Sequence, residues 1–388
     1  MRKDETKTEG KCGRAVKELL SIARVSLEDE DYGASVFQFL NVLKGDPNST
    51  DARFGLGDAY FGLADYENAE STYRLALEIF PKNSDGLFGL AATLRVIESY
   101  DEAIEFYERG FDVEPSRTAA YWELAYSREM TGDKIGAERA YRMCLEKFPN
   151  HGMAKHLLAA MLGTTTDRAP DDYVRDLFDD YAESFEQDLL NDLNYVVPDL
   201  IGKELKKLTK PLNRQKIRCF SSALDLGCGT GLVSEAIKGV VTKIDGVDLS
   251  EKMVKVAVEN QRYDNTYLHE MTAFLLDKSV GKPKYDLIVC GDALVYLGDL
   301  SSVFRGVSKR LSGKGVFCFS VEKLRSGSFS LCPTGRYAHS DGYIRDLSRN
   351  FGFELLAARD IVPRMDDALK IRGRLYLMSP NSKFEHRS

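Results

Sequence analysis

The first half of the chain repeats itself every 34 residues, and this period constrains the fold more than any other feature of the sequence. A small residue recurs within each repeat, then an aromatic residue and then a proline. In order, the small residues are Ser35, Ala69, Ala103 and Ala137, the aromatic residues are Phe39, Tyr73, Tyr107 and Tyr141, and the prolines are Pro47, Pro81, Pro115 and Pro149. So short a period suits two antiparallel helices, because the small residue allows close approach and the proline ends the second helix.

This pattern resembles the tetratricopeptide repeat and predicts four repeats, at about 16–49, 50–83, 84–117 and 118–151. A further helix at about 152–162 would cover the open end of the array, so that the solenoid would occupy residues 16–163. The resemblance implies that the repeats bind partner proteins. The alternative is that they only dock on the second half of the chain or form a dimer.

Composition narrows the class of protein. The 388 residues are enough for two or three domains, and 43% hydrophobic with 29% charged residues is typical of a globular chain. No apolar run approaches the ~18 residues of a membrane helix, and the start of the chain lacks the apolar core of a signal peptide. Seven scattered cysteines without a CxxC pair indicate reduced thiols and no metal site. These features predict a cytoplasmic protein that does not act in membranes.

The charge is distributed unevenly along the chain. Residues 1–150 carry 19 Lys and Arg against 28 Asp and Glu, a net charge of −9, and the remainder carries 34 against 32, a net charge of +2. Neither half has the strongly basic surface that neutralises a phosphate backbone. We therefore expect no nucleic-acid partner.

A glycine-rich motif in the second half carries the chemistry. Residues 223–231 read ALDLGCGTG, after an apolar run and before a helical pattern, and about 20 residues later IDGVDLS predicts a second strand ending at Asp248. A strand, a glycine loop, a helix and a strand with a terminal acid form a nucleotide-binding βαβ unit. Glycines at Gly227 and Gly229 remove side chains where a ligand must approach the backbone. The GxGxG spacing differs from the GxGxxG of dinucleotide-binding enzymes, which disfavours a dinucleotide oxidoreductase.

The motif resembles that of class I S-adenosylmethionine-dependent methyltransferases. The resemblance implies S-adenosyl-L-methionine as cofactor, with Asp225 near its amino group and Asp248 on the ribose hydroxyls. Met253 would pack on the adenine or belong to the core, and Glu270 or Met271 would contact the adenine amine. The full set of predicted cofactor-binding residues is Asp225, Gly227, Cys228, Gly229, Gly231, Asp248, Leu249, Met253, Glu270, Met271, Asp292 and Tyr181.

The remaining apolar segments complete a sheet. YDLIVCGD predicts a buried strand that ends at Asp292, GKGVFCFSVE predicts a fifth strand, and FGFELLAARD and RGRLYLMSP predict two final strands. The fold class is therefore α plus α/β: an N-terminal all-α tetratricopeptide solenoid followed by a Rossmann-like, seven-stranded class I methyltransferase domain at about 214–388.

Two other segments of the second half are candidates for site residues. After a linker, residues 171–201 read as a helix pair, and in related methyltransferases such a segment is a lid over the cofactor, which places Tyr181 toward it. The linker and lid together span 164–213. The alternative is that Tyr181 belongs to a plain apolar stripe.

The second candidate is GRYAHS, which is predicted to be a loop after the fifth strand, where substrates bind in this fold. His339 would orient or deprotonate the acceptor there, because its pKa lies near neutral. The alternative is a capping or core histidine. Tyr296, Tyr337 and Tyr343 would shape the substrate pocket or simply pack.

The whole arrangement resembles a family of predicted, mostly bacterial methyltransferases with N-terminal tetratricopeptide repeats, over about residues 16–380. It implies transfer of a methyl group to an unidentified small-molecule or protein acceptor. The alternative function is a non-enzymatic adaptor with a decayed methyltransferase fold, binding partners through its repeats.

Overall fold

The computed structural model describes residues 16–117, 120–182, 185–187, 195–209, 219–277, 284–366 and 369–382. The chain divides into two compact units, and the division falls between Lys155 and His156. Within the described residues, no helix combines the length and the apolar character that crossing a bilayer requires.

The first unit is a run of paired helices, which confirms the predicted tetratricopeptide-like architecture. The helices are α1 (16–28), α2 (Tyr32–Gly45), α3 (Thr50–Gly62), α4 (Tyr66–Ile79), α5 (Ser84–Val96), α6 (Tyr100–Val113), α7 (Tyr121–Met130) and α8 (Lys134–Lys147). Helix α9 (Gly152–Met161) follows, and the division between the two units falls inside it.

The repeated small and aromatic residues build the interior of this unit. Ala69 is fully buried, and Tyr73 on α4 fills the space beside Gly57 and Gly89, where an added Cβ would come within 2.6 Å of its ring. The Tyr73 hydroxyl donates a hydrogen bond to Asp58 on α3 (2.5 Å). A period of 34 residues therefore repeats one packing solution, in which each aromatic ring requires a small neighbour.

The second unit is built on a mixed sheet. Its strands are β1 (Ala223–Leu226), β2 (Ile244–Asp248), β3 (Asn265–Leu268), β4 (Tyr285–Cys290), β5 (Leu311–Leu324), β6 (Phe329–Leu331), β7 (Tyr337–Ser340), β8 (Phe353–Ile361) and β11 (Gly373–Pro380). The main path has the order β3-β2-β1-β4-β5-β11-β8, and β11 runs antiparallel to both of its neighbours. The predicted seven-stranded class I sheet is thereby confirmed. The short pair β9 (Met365–Asp366) and β10 (Leu369–Lys370) lies apart from it.

Helices cover both faces of the sheet. The bounds are α10 (Asp171–Tyr181), α11 (Phe185–Gln187), α12 (Val197–Thr209), α13 (Leu232–Ile237), α14 (Glu251–Glu259), α15 (Met271–Leu276), α16 (Ser301–Arg310) and α17 (Asp341–Asn350). Alternate residues of β4 face opposite layers: Leu287 packs with α12 and α13, and Ile288 packs with α15, α16 and α17. A strand buried on both faces explains the continuous apolar run of its sequence.

Strand β5 continues beyond the end of β4 and carries an added hairpin. Its last residues pair in parallel with β7 from Glu322 onward, and β7 pairs with β6. This arrangement corrects the prediction of a loop at GRYAHS, because its last four residues form a buried strand that pairs with the extended part of β5. The hairpin forms a wall above the carboxyl end of β4.

The segment predicted to be a linker is held by hydrogen bonds within the second unit. The Asp167 carbonyl accepts from the amides of Gly298 and Asp299 (both 2.8 Å), and the Ala169 amide donates to the Tyr296 carbonyl (2.9 Å). These bonds fix the start of α10 above the carboxyl edge of the sheet.

Candidate active site

A cavity of about 280 Å³ opens at the carboxyl ends of β1 and β4. The chain leaves β1 toward β2 and β3 and later returns on the other side of β1 as β4, so this is the point where the strand order reverses. Ligands of open α/β sheets bind at such points. The predicted site residues that line the cavity are Tyr181, Gly227, Gly229, Asp248, Leu249, Glu270, Met271, Asp292 and Tyr296.

The glycine loop has a backbone that other residues would strain. Gly227 and Gly229 have φ of +67° and +52°, and both line the cavity. A Cβ on Gly227 would lie 2.4 Å from the Cβ of Ala293, so this position also needs the missing side chain for close packing. Gly231 has φ of +101° and is the N-cap of α13, and it does not line the cavity.

Asp248 anchors the glycine loop from the end of β2. Its carboxylate accepts hydrogen bonds from the backbone amides of Gly229 (2.8 Å) and Ser250 (2.9 Å). Burial raises the pKa of Asp248, although these backbone hydrogen bonds lower it. Each carboxylate oxygen can accept more than one hydrogen bond, so the side chain can still receive donors from the cavity.

Besides Gly231, three predicted cofactor residues do not line the cavity: Asp225, Cys228 and Met253. Asp225 is fully buried, and one of its oxygens accepts from the Tyr263 hydroxyl (2.7 Å). Its other oxygen has no hydrogen-bond partner among the described residues. Burial raises the pKa of Asp225 to about 7. Met253 is fully buried, as the core alternative for this residue requires.

Glu270 and Met271 lie at the start of α15. Both Glu270 carboxylate oxygens cap this helix, accepting from the amides of Thr272 (3.0 Å) and Ala273 (2.7 Å). Arg168 also lies within 3.5 Å of the Glu270 carboxylate. Glu270 thus borders the cavity, and both of its carboxylate oxygens already accept hydrogen bonds from backbone amides.

An ionic cluster lies at the end of β4. Asp292 has φ of +60° and forms an ion pair with Arg364, whose guanidinium also pairs with Glu322. Arg364 is only 3% exposed and yet borders the cavity. The second Asp292 oxygen is buried and has no hydrogen-bond partner among the described residues.

Sequence reasoning missed Tyr195, Arg336 and Arg364, which also line the cavity. Arg364 follows β8, and Arg336 directly precedes β7. Arg364 stands in no motif, whereas Arg336 is the second residue of GRYAHS, so that segment held the one signal that could have identified it.

Helices α10 and α11 close one side of the cavity with aromatic side chains. The Phe178 ring meets the Tyr296 ring edge to face at 5.4 Å, and Tyr181 meets Phe185 at 5.7 Å. Asp179 accepts from the Ser250 hydroxyl, and Glu186 forms an ion pair with Arg262. The rest of the predicted 171–201 lid, residues 183–184 and 188–194, lies outside the described residues.

The structure places His339 on a buried strand and away from the cavity, contrary to the prediction of a substrate-facing loop. The imidazole is 1% exposed, and its Nε2 lies 3.0 Å from the Gly298 carbonyl oxygen. Burial lowers the pKa of His339 to about 4, against the opposing effect of the nearby carbonyls. This is the geometry of a core histidine, which was the alternative role.

Of the three predicted substrate tyrosines, Tyr296 alone lines the cavity. The Tyr337 side chain is buried and bonds with Thr166 (2.5 Å), and the Tyr343 hydroxyl donates to Asp299 (2.8 Å). Both residues instead join elements of the second unit to one another.

Comparisons with known families agree with this architecture. A methyltransferase domain model matches residues 224–317, and two tetratricopeptide repeat models match residues 20–84 and 119–151.

Curated relatives match between about a quarter and a third of the chain. The chain is 29% identical over 113 residues to a ubiquinone biosynthesis O-methyltransferase from Thiobacillus denitrificans, which covers 29% of this chain and 49% of that protein. It is 33% identical over 102 residues to a malonyl-acyl-carrier protein O-methyltransferase from Bacillus anthracis, which covers 25% and 36%. The chain thus spans about half the length, or less, of these relatives.

Among solved structures, magnesium protoporphyrin IX methyltransferase from Synechocystis PCC 6803 is similar, with a TM-score of 0.41 and 16% identity over 55% of this chain and 99% of that one. From the family models and the fold together, the chain joins tetratricopeptide repeats to a methyltransferase domain.

Proposed function

We propose that the second unit binds S-adenosylmethionine and transfers its methyl group to an acceptor in the same cavity. One observation carries the proposal: the glycine loop, with Gly227 and Gly229 at positive φ, is fastened to Asp248 at the switch point of the sheet. The loop brings bare backbone to the cavity, and Asp248 adds an acidic side chain beside it. The two features together suit a ribose diol and an amino-acid group.

The residues at the cavity fit the groups of this cofactor. Asp248 can accept from ribose hydroxyls, and Leu249 and Met271 offer apolar contacts for a purine. The unpartnered buried oxygen of Asp292 suits an ammonium group. Asp225 would support the loop from below, since its carboxylate bonds with Tyr263 and does not face the cavity.

When bound, the cofactor supplies a sulfonium-activated methyl group, a reactive electrophile. The protein then has to orient the acceptor and exclude water. Phe178 and Tyr296 cover the cavity beside Asp292 and can hold a small apolar acceptor in place. The buried ion pair of Asp292 with Arg364 fixes the position of this carboxylate, two residues after β4.

The names of the curated relatives favour an oxygen atom of the acceptor as the methylated group. The enclosing aromatic side chains favour a small molecule, whereas a protein acceptor would be recruited by the repeats at raised effective concentration. Binding of partner proteins by the repeats is part of the same proposal. The alternative of a decayed, non-enzymatic fold has no support in the site geometry, because the loop and its acidic anchor are intact.

The experiment is calorimetry of S-adenosylhomocysteine binding to the wild type, Gly227→Ala and Gly239→Ala. We expect Gly227→Ala to lose binding by more than about tenfold, because its Cβ would meet Ala293 at 2.4 Å and its φ is positive. Gly239 is the matched control, since a Cβ there would meet nothing within 4 Å. A folded wild type that does not bind would refute the proposal, as would equal binding by all three proteins.

A further inference from the structure

Three arginines border the cavity, and one of them has no carboxylate partner among the residues that the structure describes. Arg168 pairs with Asp171, and Arg364 pairs with Asp292 and Glu322. Arg336 forms no ion pair with any residue that the structure describes. Its one side-chain hydrogen bond there is a long one, from Nε to the Tyr296 hydroxyl at 3.5 Å.

Arg336 is well placed to receive a ligand. It directly precedes β7, in the hairpin of β6 and β7 that pairs with the part of β5 beyond the end of β4. It also lines the cavity. A guanidinium has five N–H donors in a planar fork that matches a carboxylate. The other donors of Arg336 have no partner among the described residues, and Phe178 and Tyr296, whose rings are in contact, line the same cavity.

The charges around Arg336 define what it can bind. Asp292 and Glu322 together carry two negative charges, which Arg364 and Arg336 balance, so the cluster itself is neutral. Arg364 takes the direct contacts with both carboxylates. Hydrogen-bonding capacity, rather than excess charge, is what Arg336 offers to the cavity.

We propose that Arg336, with Tyr296, binds a carboxylate of the methyl acceptor, so that the acceptor is a small molecule with a carboxylate and an apolar or aromatic body. This inference rests on the proposed methyltransferase function and names the substrate class of that site. The carboxylate positions the acceptor between the guanidinium and the Phe178 ring. A charge-assisted pair of this kind is specific for a planar anion over its neutral amide.

The test uses the full-length protein with and without saturating S-adenosylhomocysteine, and ¹⁹F NMR titrations of 4-fluorobenzoate and the isosteric 4-fluorobenzamide. We expect the wild type to bind the benzoate about 10- to 100-fold more tightly, the usual effect of hydrogen bonds to a charged group. Arg336→Met should abolish this preference, and Arg336→Lys should retain part of it. Arg325→Met is the matched control, because Arg325 is exposed, follows β5 and does not line the cavity.

Other outcomes overturn the proposal. No preference for benzoate in the wild type, or an unchanged preference in Arg336→Met, would do so. So would a loss of S-adenosylhomocysteine affinity in Arg336→Met with unchanged affinity for methylthioadenosine, because Arg336 would then hold the carboxylate of the cofactor product. Failure of the wild type to bind S-adenosylhomocysteine at all would instead refute the proposed function, and the titration without it still decides the role of Arg336. If Arg336→Met does not fold, Arg336→Lys serves as the deciding variant.

Discussion

At the scale of the single residue, burial determines the pKa of His339. The ring is almost fully enclosed, and its pKa falls to about 4 from an ordinary value of 6.5. Below pH 6.5 the unfolded chain takes up a proton that the folded chain refuses, so stability is present above this pH and declines toward pH 4. The full loss would be roughly 3 kcal/mol.

We therefore expect His339→Gln to flatten the dependence of the melting temperature on pH. Between pH 7.5 and 5.5, the titration of His339 costs about 1.4 kcal/mol, which corresponds to a fall of about 4 °C in a unit of this size. Scanning calorimetry of both proteins across this range checks it. Parallel curves for wild type and variant would contradict the prediction. A catalytic His339 would instead show lost methylation with an unchanged melting profile.

The contrast between Asp248 and His339 shows which site residues a sequence can reveal. Asp248 was predicted because strand, loop, helix and strand are consecutive, so local spacing determines where the acid lies. The sequence predicts a loop at His339 because no local feature indicates that β5 extends beyond β4 and pairs with residues 338–340. Arg336 reaches the cavity through the same long-range pairing, whereas Arg364 follows β8, which pairs with β11. No spacing rule encodes either pairing.

At the scale of the element, the Asp179 side chain links α10 to the start of α14, in the nucleotide-binding half of the second unit. The Asp179 carboxylate accepts from the Ser250 hydroxyl (2.5 Å) and the Lys252 amide (3.3 Å) at the start of α14. Ser250 follows Asp248 by two residues, so this contact couples the position of α10 to Asp248, the residue predicted to bind the ribose. We propose that α10 acts as the lid of the site.

Asp179→Ala should therefore release S-adenosylhomocysteine faster, by roughly tenfold, because the variant loses a hydrogen bond to a charged group. Stopped-flow dissociation measures the rate. Asp176→Ala is the matched control, since Asp176 lies on the same helix, is exposed and pairs with its neighbour Arg175. Equal dissociation rates for the two variants would show that α10 does not retain the ligand.

The elements also explain why the linker prediction gave an incomplete description of residues 163–170. Their composition of threonine, glycine and proline is typical of a turn-forming connection. In the structure the Asp167 carbonyl accepts hydrogen bonds from two amides just before α16, and the Thr166 hydroxyl bonds with the Tyr337 hydroxyl on β7. Composition indicates only how flexible a segment's backbone is. It cannot indicate these hydrogen bonds, because their partners lie more than 100 residues away in the sequence.

At the scale of the whole molecule, the second unit begins inside α9, at His156. The His156 Nε2 lies 2.8 Å from the Gly335 carbonyl oxygen, and its ring packs on Tyr173 at 4.7 Å. Sequence reasoning assigned this helix wholly to the solenoid, as its cap. We propose that the catalytic unit begins at the start of α9, because His156 belongs to its interior.

This placement predicts different behaviour for two fragments. Residues 152–388 should be folded and should bind S-adenosylhomocysteine as the full chain does, since repeat contacts are mostly between neighbouring repeats. Residues 165–388 should also bind it but melt several degrees lower, because they lack His156. The longer fragment with His156→Ala should reproduce that lower melting temperature. If the longer fragment is folded but does not bind, the repeats form part of the site.

A second experiment separates the two classes of acceptor, with labelled S-adenosylmethionine added to a cell extract together with the full chain or with the fragment. If the fragment labels small molecules as the full chain does but no longer labels proteins, the repeats recruit a protein acceptor.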